Sequence, residues 1–275
     1  MSYVKLKIEM DKIIKYGFLV KSTFHLENFL SYNNQTNDSY FWLDEKDHGG
    51  REFYFSSTIL NELENFEEIF KVGTQIISIY QGIYTLLDRN RNYINYFLLK
   101  ELTDIDSNRT LCRNTNPEIY KIDIDFTKLS YSEENKPTNS IYILFEKIIQ
   151  DEFLTNLFFL LSNKVDYRML YIIFDDIRYY LKRQGDHTFI KEFVEDLKRF
   201  THTANNYEVL GFFARHGRSN LDPPKMPMNL EDSKNLIFDI IVKLIDEKFG
   251  IKLPEFWGFA YVDFSNIDLT TLFEK

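Results

Sequence analysis

Residues 127–140 read TKLSYSEENKPTNS, and the chain changes character across them. The stretch is polar, holds Pro137 and has no apolar period, so it reads as a boundary between two regions. Before it, apolar residues alternate with polar ones; after it, they recur every three or four. The first period belongs to half-buried strands and the second to amphipathic helices. The expected fold is therefore α+β. Strands with a long helix occupy 1–130, an antiparallel bundle of about four helices occupies 139–250, and an aromatic docking tail fills 251–275.

Just upstream of the boundary, Tyr120, Ile122, Ile124 and Phe126 alternate with Lys121, Asp123 and Asp125, which predicts a strand. Asp123 and Asp125 then share a face. Paired carboxylates suit a divalent cation, but nothing nearby completes a ligand set, so a solvated strand face is the better reading. Residues 93–102 and 109–113 form a predicted strand pair. From Thr58, the positions Leu60, Leu63, Phe66, Phe70, Ile77, Tyr80, Tyr84 and Leu87 fall at helical spacing. Ser56 and Ser57 are candidate N-caps for this helix, and Gly73 and Gly82 are weak points or close-packing contacts within it. Residues 40–43 and 52–55 read as strands joined through Gly49 and Gly50, with His48 a solvated loop residue. Alternation over 4–10 predicts a first strand, with 17–20 as its partner.

Downstream, Ile141, Leu144, Phe145, Ile148 and Ile149 begin a helical stripe that runs on through Leu157 and Leu161. Leu170, Phe174, Ile177 and Leu181 make a second helix that stops near Gly185. Asp186 is placed to cap a third, with Phe189, Phe193, Leu197, Phe200 and Ala204 on its stripe. Asn229 caps a fourth, with Glu231 and Asp232 in the first turn, where the helix dipole favours negative charge, and Gly250 as its stop.

The totals narrow the function classes. With 275 residues and a net charge of −9, the chain can bury a sizeable core and is repelled by a polyphosphate backbone. Nucleic acid is therefore a disfavoured partner, and a protein partner or a second copy is preferred. The single cysteine, Cys112, excludes an internal disulfide and a cysteine-rich zinc site, and reads as a small strand residue. The N-terminal MSYVKLKIEMDK lacks the apolar core of a signal peptide, and no apolar run approaches the roughly 18 residues that span a bilayer. A cytoplasmic protein away from membranes is expected, with no metal and no cofactor. No glycine-rich phosphate loop, His-Glu-x-x-His helix or Gly-x-Ser-x-Gly elbow is present.

Chemistry-bearing residues gather in 201–230, THTANNYEVLGFFARHGRSNLDPPKMPMNL. Between Lys198 and Lys225 five basic residues face two acidic ones, a local balance of +3. Arg215 offers a planar fork of donors for phosphate or carboxylate. Histidine is the side chain suited to proton transfer near neutral pH, so His216 and His202 are candidate acid and base. Arg215, His216 and His202 are thus the catalytic candidates, and Asn205, Asn206, Arg215, His216 and Arg218 the candidates for ligand or partner binding. The same residues can instead tie the loop to the helices, with Pro223, Pro224 and Pro227 fixing the approach to the last one.

The order Ala204-Asn205-Asn206, Gly211, Ala214-Arg215-His216-Gly217 and Pro223-Pro224-Lys225-Met226-Pro227-Met228 resembles the C-terminal region of a set of uncharacterised bacterial proteins. The likeness covers about residues 139–250 and implies no established activity. HEPN-type ribonucleases, also helical bundles, have four to six residues between an arginine and the histidine that follows it. Here Arg183 and His187 have three residues between them, Arg199 and His202 have two, and Arg215 and His216 are adjacent, so that motif fails. The expectation is a macromolecule-binding or oligomerising module. The alternative is an RNA- or phosphoester-acting enzyme using Arg215 and His216. A bacterial defence or stress role is suggested by the company of such lineages rather than by any residue.

Overall fold

A computed structural model describes residues 14–22, 39–45, 51–87, 97–107, 109–113, 119–124, 126, 140–217 and 222–253. The fold is α+β. Five strands, β1 (Tyr16–Ser22), β2 (Ser39–Glu45), β3 (Arg51–Ser57), β4 (Phe97–Asp104) and β5 (Arg109–Arg113), form one antiparallel sheet in the order β2-β3-β1-β4-β5. The β2–β3 hairpin stands where its alternation placed it. β1 pairs with β3 on one edge and β4 on the other, so these strands, not 4–10, are the described partners of 17–20. Residues 4–10 themselves lie outside the described residues.

Tyr16, Phe18 and Val20 point into the core at every second position of β1. In β4 the core positions are Phe97, Leu99 and Leu102, which breaks that parity. The register supplies the reason: Leu19 pairs with Glu101 but Val20 pairs with Leu99, so Lys100 is an extra residue. This bulge returns Leu102 to the core face.

The long helix α1 spans Phe66–Leu87. It starts later than Thr58, because Thr58–Glu62 is a 3-10 turn. Ser57 precedes that turn without a capping bond, and the Ser56 hydroxyl donates to the Tyr16 carbonyl of the neighbouring strand. From Gln75 to Leu87 nearly every side chain is buried, including Ile79, Ile83 and Leu86, which lie off the predicted stripe. A helix apolar all round is covered on more than one side. Phe70 meets Phe18 of the sheet edge-on at 4.9 Å between ring centroids. Tyr80 stacks at 4.4 Å on Phe145 of the helical region. A Cβ on Gly73 would lie 2.5 Å from the Phe18 ring, and one on Gly82 only 2.0 Å from the Phe158 carbonyl oxygen. Both glycines are close-packing contacts. One hydrophobic cluster accordingly runs from Tyr16 to Ile251, through both regions.

The expected strand over 120–126 is absent from residues 119–124. Gln75 of α1 captures this segment instead. Its amide donates to Asp123 Oδ1 (2.6 Å) and accepts from the Asp123 backbone N–H (3.2 Å), while Lys71 reaches Oδ2 at 2.5 Å. A buried glutamine needs such partners, and the segment trades sheet bonds for them. Lys71 above all, then Gln75, pulls the Asp123 carboxyl below its usual range. Asp125 lies outside the described residues.

The predicted first helix of the second region is two helices, α2 (Ser140–Gln150) and α3 (Glu152–Leu161). Asp151 breaks it by accepting from the Leu154 N–H at 3.0 Å, as an N-cap does. Helix α4 (Tyr167–Arg183) begins at the Asp166 cap and ends before Gly185, whose φ of 72° only glycine adopts freely. Asp186 bonds the Thr188 and Phe189 N–H groups, both at 3.0 Å, but α5 (Val194–Asn205) starts eight residues after it, beyond a 3-10 turn at Lys191–Phe193. After the four-residue turn α6 (Tyr207–Leu210) comes α7 (Leu230–Phe249), capped by Asn229 and stopped by Gly250 as predicted. Helix α4 touches α3, α5 and α7. No helix among the described residues is long and apolar enough to cross a membrane. The aromatic tail from residue 254 onward lies outside the described residues.

Candidate functional site

The segment from Asn206 to Asn229 leaves α5 and returns to α7, and side chains of α4 and α5 hold its backbone. Arg168 donates through Nε to the Ala214 carbonyl at 2.9 Å and through a terminal nitrogen to the Phe212 carbonyl. Arg199 reaches the Met226 and Pro227 carbonyls at 2.9 and 3.1 Å. The Tyr167 hydroxyl donates to the Met228 carbonyl at 2.8 Å, and the Met228 N–H to the buried Thr203 hydroxyl at 3.0 Å. Burial pushes the Tyr167 phenol pKa up, so it stays a donor at neutral pH. Loop carbonyls without a strand partner need donors, and two arginines supply them.

The sequence-predicted residues divide within this framework. Asn206 is buried (1 % exposed); it caps α6 by accepting from the Val209 N–H at 3.1 Å and donates to the Asp222 carbonyl at 3.1 Å. His202 Nε2 lies 2.8 Å from the same carbonyl, which fixes that nitrogen as a donor. These two are structural ties. Asn205 differs, because its Oδ1 is buried with no hydrogen-bond partner among the described residues. Arg218 lies outside the described residues. His216 is exposed, with no hydrogen bond or ion pair among the described residues.

Arg215 is the best-held cation of the set. Its backbone N–H donates to the Ala204 carbonyl at 2.8 Å, which brings the loop back onto the end of α5. Its guanidinium carbon lies 3.9 Å from the Tyr171 ring centroid, and a terminal nitrogen meets Asp175 Oδ2 at 3.2 Å. The Arg215 side chain is still 36 % exposed. Asp175 also faces Arg178 at 3.4 Å. Next to it, burial first and the Asp175 charge second push the Asp176 carboxyl above its usual range. An open groove of about 760 Å3 is lined by Asp175, Asp176, Arg178, Tyr179, Lys182 and His187, among others. With both signs present, it suits no ligand of a single charge.

Sequence reasoning passed over two neighbours of Arg215. Phe212 is 82 % and Phe213 61 % exposed, and Met226 across the loop is 70 % exposed. Gly211 begins their turn with φ 55°. Their signal was present, since two consecutive phenylalanines in a polar loop continue no helical stripe. Cys112 is partly buried, and burial raises its thiol pKa, so it has no thiolate character at neutral pH. Among the described residues no three His, Cys, Asp or Glu side chains form a group able to hold a metal ion. Comparisons with known protein families, curated proteins and solved structures return no match.

Proposed function

We propose that this chain is a protein-binding module that presents the surface of Gly211–Gly217 and Met226 to a partner. The observation that carries the reading is the pair Phe212 and Phe213, 82 % and 61 % exposed on a backbone pinned by Arg168 and Arg215. Burying a phenylalanine is worth about 1.5–3 kcal/mol, so displaying two side by side forgoes a large stabilisation. Ordering the loop that displays them in advance removes an entropy cost that binding would otherwise meet. Exposed aromatics held rigidly with arginines beside them have the composition of an interface hot spot.

The reading is non-enzymatic. The alternative, a phosphoester-acting enzyme built on Arg215 and His216, draws less support, because Arg215 is tied to Asp175 and His202 to a loop carbonyl. The test compares the wild-type chain with a Phe212→Ser/Phe213→Ser double variant. Light scattering across a concentration series reads self-association, and quantitative co-purification reads other partners. A partner or oligomer lost in the variant, whose thermal unfolding is unchanged, is the expected result. Equal recovery and equal mass for both chains would remove the basis of the reading.

A further inference from the structure

We propose that the partner is an acidic protein segment, in which a carboxylate is bound by the Arg215 guanidinium while Phe212 and Phe213 receive an adjacent apolar side chain. The inference rests on the protein-binding reading and adds the chemistry of the partner. Arg168, Tyr171 and Asp175 lie at positions i, i+3 and i+7 of α4, on one face of that helix. Arg168 holds the Phe212 and Ala214 carbonyls, and Tyr171 and Asp175 hold the Arg215 side chain. The two aromatic rings and the guanidinium are therefore presented together over the N-terminal half of α4. Ile172, 45 % exposed on the same half of the helix, extends the apolar part.

Arg215 has donors to spare. A guanidinium carries five N–H groups. Among the described residues its side chain makes one hydrogen bond, to Asp175 at 3.2 Å, longer than the usual 2.7–2.9 Å of a charge-assisted pair. Contact with the Tyr171 ring and the bond to Asp175 already restrict the Arg215 side chain, so less side-chain entropy remains to be lost on binding. A single carboxylate matches a planar fork. Asp175 stands beside Arg215, so a segment bringing one carboxylate meets less repulsion there than a polyphosphate bringing several charges. Of the charged side chains that hold this patch, Arg168 and Arg215 outnumber Asp175, which favours an acidic segment over a basic one.

Fluorescence anisotropy on the full chain tests this with three probes. The first is a labelled peptide of Asp, Glu, Phe and Leu; the second is its counterpart with Asn and Gln for the acids; the third is oligouridylate RNA. The acidic peptide is expected to bind about tenfold tighter than the amide peptide, with a preference that shrinks as salt rises. Arg215→Gln is expected to bring the acidic-to-amide ratio close to one, and Arg215→Lys to restore part of it. Phe212→Ser/Phe213→Ser is expected to weaken both peptides alike. Equal binding of acidic and amide peptides by the wild-type chain overturns the carboxylate inference, needs no variant that could misfold, and leaves the protein-binding reading standing if the phenylalanine variant loses both. Preference for the RNA, or no binding of any probe, overturns the inference as well; the co-purification comparison then decides the broader reading separately.

Discussion

The guanidinium of Arg215 lies over the ring of Tyr171, 3.9 Å from its centroid, and bonds Asp175 one turn further along α4. This relationship fastens the loop between α5 and α7 to the bundle while leaving the arginine partly exposed. Holding the loop and meeting a partner are compatible, because among the described residues the guanidinium donates only to Asp175 and keeps its other N–H groups.

Arg215→Ala is expected to lower stability by about 1–2 kcal/mol, the sum of a cation–π contact and a half-exposed ion pair. Tyr171→Leu keeps the packing and loses the ring, and is expected to cost less than Arg215→Ala. Urea unfolding monitored by circular dichroism reads both. No loss in either variant would show that the loop is held by Arg168 and Arg199 alone.

Gly82→Ala and Gly73→Ala separate rigid from yielding contacts on α1. The first drives a Cβ to 2.0 Å from the Phe158 backbone oxygen, so two helices must move apart. A loss of about 3 kcal/mol or more is expected. The second meets the Phe18 ring, which can shift, and gains about 1 kcal/mol of helix propensity in partial compensation. Equal midpoints for the two variants in chemical denaturation would refute the close α1–α3 approach.

Adjacent asparagines are expected to behave differently. Asn206→Ala removes a helix cap and one of the two donors to the Asp222 carbonyl, leaving His202, at a cost of about 1–2 kcal/mol. Asn205→Ala deletes a buried oxygen that has no partner among the described residues and should stay within about 0.5 kcal/mol of wild type. Differential scanning fluorimetry distinguishes the outcomes.

Acid is expected to loosen the α4–α5 turn. Lys248 first, then the Thr188 and Phe189 amides, depress the Asp186 carboxyl well below its ordinary range. A depressed acid stabilises the fold above its unfolded pKa of about 4, and that contribution disappears as pH falls further. Lys248 is shifted upward by the same pair, so its share is full below its unfolded pKa and is lost as pH rises through the higher folded one. The melting-temperature gap between wild type and Asp186→Asn should be widest near neutrality and close below about pH 4. A gap that stayed constant to pH 3 would contradict the pairing.

Much of the secondary structure was legible because its causes sit within a few residues. Asn229 and Gly250 mark the ends of α7, and the alternation of 40–43 and 52–55 marks a hairpin. The break at Asp151 was legible too, in a residue able to cap, but the apolar stripe on both sides concealed it. At the candidate site the cluster of Arg215 and its neighbours was visible as composition. Its partners Tyr171 and Asp175 were not, being 44 and 40 residues away in sequence.

The sequence by itself determined the α+β class, the caps of the last helix, the lack of an internal disulfide, and 201–230 as the place where polar chemistry collects. Tertiary structure alone decided that α1 is buried on several sides, that 119–124 leaves the sheet for Gln75, and that Asn206 and His202 are spent on Asp222 while Phe212 and Phe213 face solvent. The division has a physical origin. Periodicity and capping are short-range and written in neighbouring residues, whereas burial and the partner of a polar group depend on which distant segments fold against them.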